Sequence, residues 1–164
     1  MNYQNFLKDL DEKLSKYFEL HKKHICCTTG CSSCCEKGDY PLSQAELEYL
    51  MQGYAKLNDS VKIEVQKNIK NIQKGGACPF LIKKKCSIYP YRPIICRVHG
   101  LAYICHDNIV KVPYCANKSK NYSNVYKDGE IEINPIYENL DTQNILKGMN
   151  CGEIRNLTDW LERA

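Results

Sequence analysis

Five cysteines fall within ten residues near the start of the chain, in the run CCTTGCSSCC at positions 26–35. From Cys27 onward they follow the spacing Cys-x3-Cys-x2-Cys-Cys, with glycine, serine and threonine between the thiols. Small spacer residues let a backbone curl tightly, so several sulfurs can converge on one point, as a metal ion or an iron–sulfur cluster requires. The segment has no apolar face that core packing would explain. It therefore predicts thiolate coordination of a metal.

A second group of cysteines lies between positions 78 and 115, in a stretch whose prolines exclude a long helix. Either group alone offers an unbalanced set of ligands, whereas the two together could complete tetrahedral sites. The intervening residues predict two helices joined by a short turn, which would return the chain to its starting point. We therefore expect the two groups to meet.

The chain has 164 residues and eleven cysteines, an odd number that prevents complete pairing in disulfides. Its first 25 residues carry acidic side chains among apolar residues at helical spacing and lack the apolar core of a signal peptide. No apolar run is long enough to span a membrane. These observations predict a cytoplasmic protein with reduced thiols that bind metal, and no membrane partner.

The formal net charge of +4 counts every thiol as neutral. Eight thiolates holding two divalent ions would bring that charge to about zero, so the basic balance does not indicate a nucleic-acid partner. We interpret the basic residues between the cysteines as charges that offset the thiolates or face solvent. They are Lys83, Lys84, Lys85, Arg92 and Arg97. Metal ions are the expected partners, and no protein partner is indicated.

Apolar residues at three- and four-residue steps predict three helices before the second cysteine group. The first covers residues 3–24, the second follows the capping-box pattern of Ser43 and Glu46, and the third covers residues 60–73. His21 and His24, at the end of the first helix, are expected to cap it or to lie on the surface.

After the third helix, Pro93 predicts a single helical turn through Cys96. Two hairpins are expected, within 101–113 and 125–133, and short helices at 141–147 and 154–162, capped by Asp141 and Asn156. The predicted fold class is therefore mostly α with short β-hairpins, as one small domain stapled by a cysteine metal cluster. Its parts are an N-terminal helix (1–25), a metal core (26–117) and a C-terminal segment (118–164).

Several motifs together resemble those of the YkgJ-type cysteine-cluster family of zinc- or iron-chelating domains. The run from Cys27 to Cys35 is similar to the family's first motif. Four segments of this chain resemble the family's second motif: CPFL (78–81), CSIY (86–89), RP (92–93) and CR (96–97). In a subset of the family, the second motif ends in a His-Gly pair like that at 99–100 and is followed by a later cysteine, which Cys115 resembles. The resemblance covers roughly residues 26–117. It implies chelation of zinc or iron without a settled activity.

Three cysteines, Cys26, Cys105 and Cys151, lie outside the family pattern, and we interpret them as buried or surface thiols. Eight cysteines remain as predicted ligands. They could form two closed four-thiolate zinc sites or hold one or two iron–sulfur clusters. Because Cys34 and Cys35 are adjacent, we expect them not to point easily at one ion, which favours two centres or bridging sulfurs. The predicted ligands are Cys27, Cys31, Cys34, Cys35, Cys78, Cys86, Cys96 and Cys115.

Four other classes of protein compete with a closed chelating domain. The spacing Cys27-x3-Cys31-x2-Cys34 is also that of radical S-adenosylmethionine enzymes, but a full barrel needs about 250 residues. Some flagellin lysine methylases share a related cysteine motif, yet the chain lacks a glycine-rich loop for S-adenosylmethionine. An iron–sulfur redox or oxygen-sensing module stays open. So does a metal-dependent enzyme with an open coordination position and His99, Tyr103 or a carboxylate as its base.

Other residues near the cysteines have expected supporting roles. We interpret His99 as a hydrogen-bonded neighbour of Cys96 rather than as a ligand, and expect Arg92 and Arg97 to donate hydrogen bonds to thiolates. The tyrosines at 89, 91 and 103 are expected to pack around the site. No residue is predicted to be catalytic.

Overall fold

The computed structural model describes residues 3–28 and 30–162. The helices are α1 (Tyr3–Leu20), α2 (Gln44–Ala55), α3 (Asp59–Lys70), α4 (Ile94–Val98), α5 (Thr142–Ile145) and α6 (Leu157–Leu161). The strands are β1 (Pro41–Ser43), β2 (Leu81–Ile82), β3 (Lys85–Cys86), β4 (Tyr103–Ile104), β5 (Val110–Lys111), β6 (Tyr126–Lys127), β7 (Glu130–Ile131) and β8 (Ile154–Asn156). Helical residues outnumber strand residues, in agreement with the predicted helical class with short hairpins.

The chain divides into two compact units. The first, called the α1 unit below, consists of Met1–Thr28 and Arg97–Met149. The second, called the cysteine-rich unit, consists of Thr29–Cys96 and Asn150–Ala164. The division into an N-terminal helix, a metal core and a C-terminal segment stays a prediction.

In the α1 unit, α1 follows the predicted apolar stripe and buries Leu7, Leu10 and Leu14. The predicted hairpin at 101–113 forms from β4 and β5, and Tyr103 also makes a parallel bridge with Ile136. The predicted hairpin at 125–133 forms from β6 and β7. Its turn residues Asp128 and Gly129 both have positive φ, as a tight two-residue hairpin turn requires.

In the cysteine-rich unit, α2 begins as its sequence predicts. The Ser43 hydroxyl accepts the Glu46 N–H, and the Glu46 side chain accepts the Ser43 N–H in return. Glu46 is fully buried, and its Oε1 also accepts the N–H of Ile94, the first residue of α4, at 2.9 Å. This carboxylate therefore ties the start of α2 to the short helix that carries Cys96.

The core of the cysteine-rich unit is apolar and includes residues that adjoin the second cysteine group. Phe80 and Ile88 each lie two residues beyond a cysteine and are almost completely buried. They anchor the segments of Cys78 and Cys86 to the helices. The core consists of Leu42, Leu50, Val65, Phe80, Ile88, Leu157 and Leu161.

The C-terminal prediction is partly wrong, because a strand replaces the first turn of the expected helix at 154–162. β8 pairs with β1 in antiparallel register, Pro41 opposite Asn156 and Ser43 opposite Ile154, and α6 starts only at Leu157. Asn156 occupies the cap position, but Asp39 supplies the capping oxygen by accepting the Thr158 N–H at 3.0 Å. Pairing with β1, which is distant in sequence, outweighs the local helical pattern.

The shorter expected helix at 141–147 forms as α5, and the Asp141 side chain caps it by accepting the Gln143 N–H. Across residues 3–28 and 30–162, none of the helices combines the length and the apolar character that a membrane crossing demands.

Candidate metal centre

The two cysteine groups of the cysteine-rich unit meet through their backbones. The N–H of Cys78 donates to the carbonyl of Cys35 at 2.7 Å, and the N–H of Gly38 donates to the carbonyl of Gly76 at 2.9 Å. A Cβ at Gly38 would lie 2.4 Å from the Cys78 Cβ, so only glycine permits this approach. The expectation that the chain returns the second group to the first is confirmed for these segments.

The other two thiols of the second group are placed by short regular elements. Cys86 lies on β3 opposite Leu81 of β2, and the connecting turn has Lys83 and Lys84 at positive φ. Cys96 lies in α4, the helical turn predicted after Pro93.

Adjacent Cys34 and Cys35 direct their thiols to the same place. Their sulfurs are 3.9 Å apart, close to the separation of about 3.8 Å between neighbouring sulfurs in a tetrahedral site with Zn–S bonds of about 2.3 Å. The expectation that these neighbours favour two centres or bridging sulfurs stays a prediction. Because their two side chains turn toward one another, a shared ion is geometrically possible.

Five thiols of this unit interact electrostatically, and four of them are held against ionisation. Burial is the main cause that raises the pKa of Cys78 to about 12 and the pKa of Cys96 well above its usual value, and neighbouring thiolate charges add to both. The pKa of Cys86 is raised by burial as well. The hydrogen bond between the Cys34 and Cys35 thiols raises the pKa of Cys35 and lowers that of Cys34 to about 7.

One cation and one phenol adjoin this group of thiols. The positive charge of Arg92 lowers the pKa values of Cys34, Cys86 and Cys96, as expected for an arginine that supports thiolates, although other causes dominate each value. The guanidinium also lies 3.9 Å from the ring centre of Tyr89. Tyr40, which no sequence motif marks, donates its hydroxyl to the Cys34 carbonyl at 2.9 Å. Burial and then the surrounding thiolates raise the pKa of Tyr40.

The remaining cysteine of the first motif in this unit is Cys31. Its half-buried thiol lies 4.0 Å from the Ser33 hydroxyl. Its role as a ligand stays a prediction.

The α1 unit contains the other two predicted ligands, Cys27 and Cys115. Cys27 Sγ accepts a hydrogen bond from Asn121 Nδ2 at 3.1 Å, and Cys115 is buried. Both thiols act on Tyr122, since burial first and then their charges raise its pKa to about 12. Asn121 and Tyr122 carry no sequence signal of their own, because an Asn-Tyr pair in a polar segment has no distinctive spacing.

Several expected supporting roles are corrected in the α1 unit. Arg97 is buried and forms an ion pair with Asp11 of α1, a partner that sequence spacing alone does not indicate. His21 is buried rather than on the surface, with Nδ1 2.8 Å from the Tyr122 hydroxyl. His24 stacks on the ring of Tyr122. His99 is half-buried, and burial lowers its pKa, while its expected role beside Cys96 stays a prediction.

The three tyrosines expected to pack around the site lie in different surroundings. Tyr89 and Tyr91 lie in one 3-10 turn, where Tyr91 packs against Gly53 of α2 and Tyr89 is exposed apart from its contact with Arg92. Tyr103 is buried in β4, and burial raises its pKa.

The cysteines outside the motif are scattered. Cys26 is exposed, Cys151 is buried, and the Cys105 thiol donates to the Ile109 carbonyl at 3.2 Å. No disulfide forms between cysteines of the described residues.

The chemistry of the donor set fits a thiophilic metal. Five thiols interact with one another in the cysteine-rich unit, and soft thiolates select zinc or iron–sulfur centres over magnesium or calcium. Within residues 3–28 and 30–162, no three Cys, His, Asp or Glu side chains already have donor atoms arranged to hold an ion. The thiols are thus assembled next to each other without completed coordination geometry.

These features define a cysteine-rich helical protein with short hairpins, in which thiols distant in sequence are gathered in one unit. Residues 26–119 match the CxxCxxCC family model, whose description is "Putative zinc- or iron-chelating domain". The chain belongs to this family, which is the cysteine-cluster family that its motifs resemble. No curated protein and no solved structure gives a significant match.

Proposed function

We propose that this protein binds zinc or iron through cysteine thiolates and that the metal is structural or stored. The single observation that carries the proposal is the meeting of two cysteine segments distant in sequence, where the Cys78 N–H donates to the Cys35 carbonyl at 2.7 Å beside the paired thiols of Cys34 and Cys35. Membership of the CxxCxxCC family supports it. The proposed ligands are the eight family-pattern cysteines: Cys27, Cys31, Cys34, Cys35, Cys78, Cys86, Cys96 and Cys115.

The electrostatics of the unit explain why a cation would be held there. Desolvated thiols close to one another resist ionisation, because each additional thiolate repels those already formed. A bound cation reverses this preference, since metal binding displaces the thiol protons and the binding free energy adds to the free energy of unfolding. When bound, the metal would supply the positive charge that Arg92 alone cannot.

Eight thiolates that fill every coordination position would leave no place for a substrate, which favours a structural or storage role. The same ligands could hold an iron–sulfur cluster for electron transfer or oxygen sensing, and the type of metal decides between these roles. Both roles need reduced thiols, so we place the protein in a reducing compartment, the cytoplasm.

Elemental analysis of anaerobically purified protein, with a visible spectrum of the same sample, tests the proposal. About two zinc ions per chain in a colourless sample would indicate a closed chelating protein. Iron with acid-labile sulfide and a brown colour would indicate the redox or sensing role. Protein without either metal, which also takes up neither after anaerobic reconstitution, would overturn the proposal.

A matched pair of cysteine variants tests the ligand set. We expect Cys86→Ser to lower the metal content and the melting temperature together, because the thiolate and its linked stabilisation are both lost. A 100-fold weaker affinity removes about 2.7 kcal/mol of linked stabilisation, or roughly 5–10 °C in melting temperature. Cys105→Ser, outside the motif, should change neither quantity. Unchanged metal content in Cys86→Ser would remove that residue from the ligand set.

A further inference from the structure

The Asn121 side chain connects the Cys27 thiol to the backbone of the α1 unit. Its Nδ2 donates to Cys27 Sγ at 3.1 Å and to the Gly100 carbonyl at 3.0 Å. Its Oδ1 accepts the N–H of Cys26 at 2.7 Å. An asparagine amide has two N–H donors and one carbonyl oxygen, so both donors and the oxygen are engaged. The amide therefore fixes the thiol and the peptide next to it with one rigid group.

Burial and a neighbouring hydrogen bond keep this amide in place. Asn121 is only 1 % exposed, so rotation away from its partners would leave buried polar atoms unsatisfied. The next residue, Tyr122, is fully buried, and its N–H donates to the His24 carbonyl at 2.7 Å. The backbone at Asn121 is thus anchored to the segment that precedes Cys27.

Gly100 makes the close approach of amide and thiol possible. It has a φ of +107°, which favours glycine, and a Cβ there would lie 3.0 Å from Asn121 Nδ2 and 3.2 Å from Cys27 Sγ. A side chain at this position would push the amide and the sulfur apart. Glycine at position 100 therefore leaves the space that the contact between the Asn121 amide and the Cys27 sulfur needs.

We infer that Asn121 is a positioning residue that presents the Cys27 thiolate to the metal through an N–H···S hydrogen bond. The inference rests on the proposed function. An N–H donor stabilises a thiolate more than a thiol, because hydrogen bonds to charged acceptors are the stronger ones. Groups that hydrogen-bond to metal ligands orient them, and their loss weakens metal affinity about 10- to 100-fold.

A double-mutant cycle separates positioning from a general contribution to folding. Zinc affinity is measured by competition with a chelating dye for the wild type, Asn121→Asp, Cys27→Ser and the double variant. Asn121→Asp keeps an oxygen for the Cys26 N–H but turns a negative charge toward the sulfur, so we expect about 10- to 100-fold weaker binding. If Asn121 acts through Cys27, the double variant should bind zinc no more weakly than Cys27→Ser alone.

A second readout locates the effect at one thiol. In the zinc-bound protein, alkylation with N-ethylmaleimide followed by mass spectrometry should show Cys27 labelled in Asn121→Asp and protected in the wild type, while Cys96 stays protected in both. Asn124→Asp, an exposed change of the same charge in the same segment, should match the wild type.

Each contrary result has a distinct meaning. Unchanged zinc affinity in Asn121→Asp, or the same loss in the Cys27→Ser background, would overturn the inference and leave the proposed function standing. A wild type that binds neither zinc nor iron would overturn both. If Asn121→Asp does not fold by circular dichroism, the same cycle is run with Asn121→Ala, which removes the donor without adding charge.

Discussion

The two units surround their cysteines with different chemistry. In the cysteine-rich unit, thiols lie beside thiols, and the sulfurs of Cys34 and Cys35 are only 3.9 Å apart. In the α1 unit, the Cys27 thiol lies beside an amide, and Asn121 donates to it. Ionisation in the first environment is opposed by burial and by neighbouring thiolates. In the second environment, the N–H donor stabilises a negative sulfur.

This difference indicates two ways to prepare a thiolate ligand. Crowded thiols depend on a cation to ionise together, so their arrangement and metal binding should be strongly coupled. A thiol with its own hydrogen-bond donor needs less help from the metal to be charged and oriented. Changes in the scaffold of the crowded thiols should therefore have larger consequences than changes in the α1 unit.

The largest effect is expected from Glu46, the buried carboxylate between the start of α2 and the helix of Cys96. Its Oε1 accepts the Ile94 N–H, and its Oε2 accepts from Ser43. Glu46→Gln places an N–H₂ group against a donor, so we expect the free energy of unfolding to fall by about 3 kcal/mol. Urea denaturation measures this change.

Glu48→Gln is the matched control, because Glu48 is exposed on the same helix. It should change the free energy of unfolding by less than about 0.5 kcal/mol. If the two variants proved equally stable, Glu46 would not be the link that holds Cys96 in place.

The next effect concerns the contact between the two cysteine segments. Gly38→Ala would place its Cβ 2.4 Å from the Cys78 Cβ, and the overlap should cost about 2 kcal/mol and lower the metal content. Gly75→Ala is the control, since Gly75 has a positive φ but open space around it. Urea denaturation and elemental analysis measure the stability and the metal content of both variants. Gly38→Ala reports the effect of the steric overlap, and Gly75→Ala reports the effect of backbone strain alone. Normal metal content in Gly38→Ala would mean that the ligands do not depend on this contact.

Much of the fold is predictable from the sequence because its signals are local. The capping box of Ser43 and Glu46, the apolar stripe of α1 and the turn at Asp128 and Gly129 all act within a few residues. The pairing of β8 with β1 is not predictable in this way, because β8 has only three residues and pairs with a strand that lies over one hundred residues earlier in the sequence. Tertiary pairing there outweighs local helical propensity.

The candidate site shows the same division. Cysteine spacing identifies the thiols, and the return of the chain places Cys78 against Cys35 as expected. The groups that act on the thiols, Asn121 and Tyr40, are ordinary polar residues whose roles depend on distant contacts. The 3.9 Å separation of the Cys34 and Cys35 sulfurs depends on side-chain rotation, which cysteine spacing does not predict.

A smaller effect is expected where α6 begins, at Asp39, whose Oδ2 also accepts the Gly75 N–H at 3.2 Å. Asp39 accepts the Thr158 N–H and so caps α6, a contact typically worth about 1 kcal/mol. Asp39→Ala should therefore lower the free energy of unfolding, whereas Asn156→Ala should leave it nearly unchanged. A lower melting temperature of Asp39→Ala with unaltered metal content would show that this helix cap stabilises the fold without affecting the thiols. Equal losses in the two variants would restore Asn156 as the cap.

The smallest effect distinguishes the α1 unit by its response to pH. Burial first, and then the charge of His24, lowers the pKa of His21 below its usual 6.5. The unfolded chain therefore binds a proton near pH 6.5 that the folded chain does not, and folding stability declines as the pH falls through this range. Asn at position 21 keeps an acceptor for the Tyr122 hydroxyl without titrating. His21→Asn should thus lose less stability than the wild type between pH 7 and the folded-state pKa.

His106→Asn is the control, because His106 is exposed at the turn of the β4–β5 hairpin and should leave the pH profile unchanged. Any dependence that persists in His21→Asn comes from other groups, among them His99, whose pKa burial lowers in the same direction. Melting temperatures of metal-bound protein from pH 7.5 to pH 5 give the comparison, since protonation of the thiolates is common to all three proteins and cancels in the differences. Identical profiles for His21→Asn and the wild type would show that the His21 imidazole does not contribute, and the contrast between the units would then depend on their thiols alone.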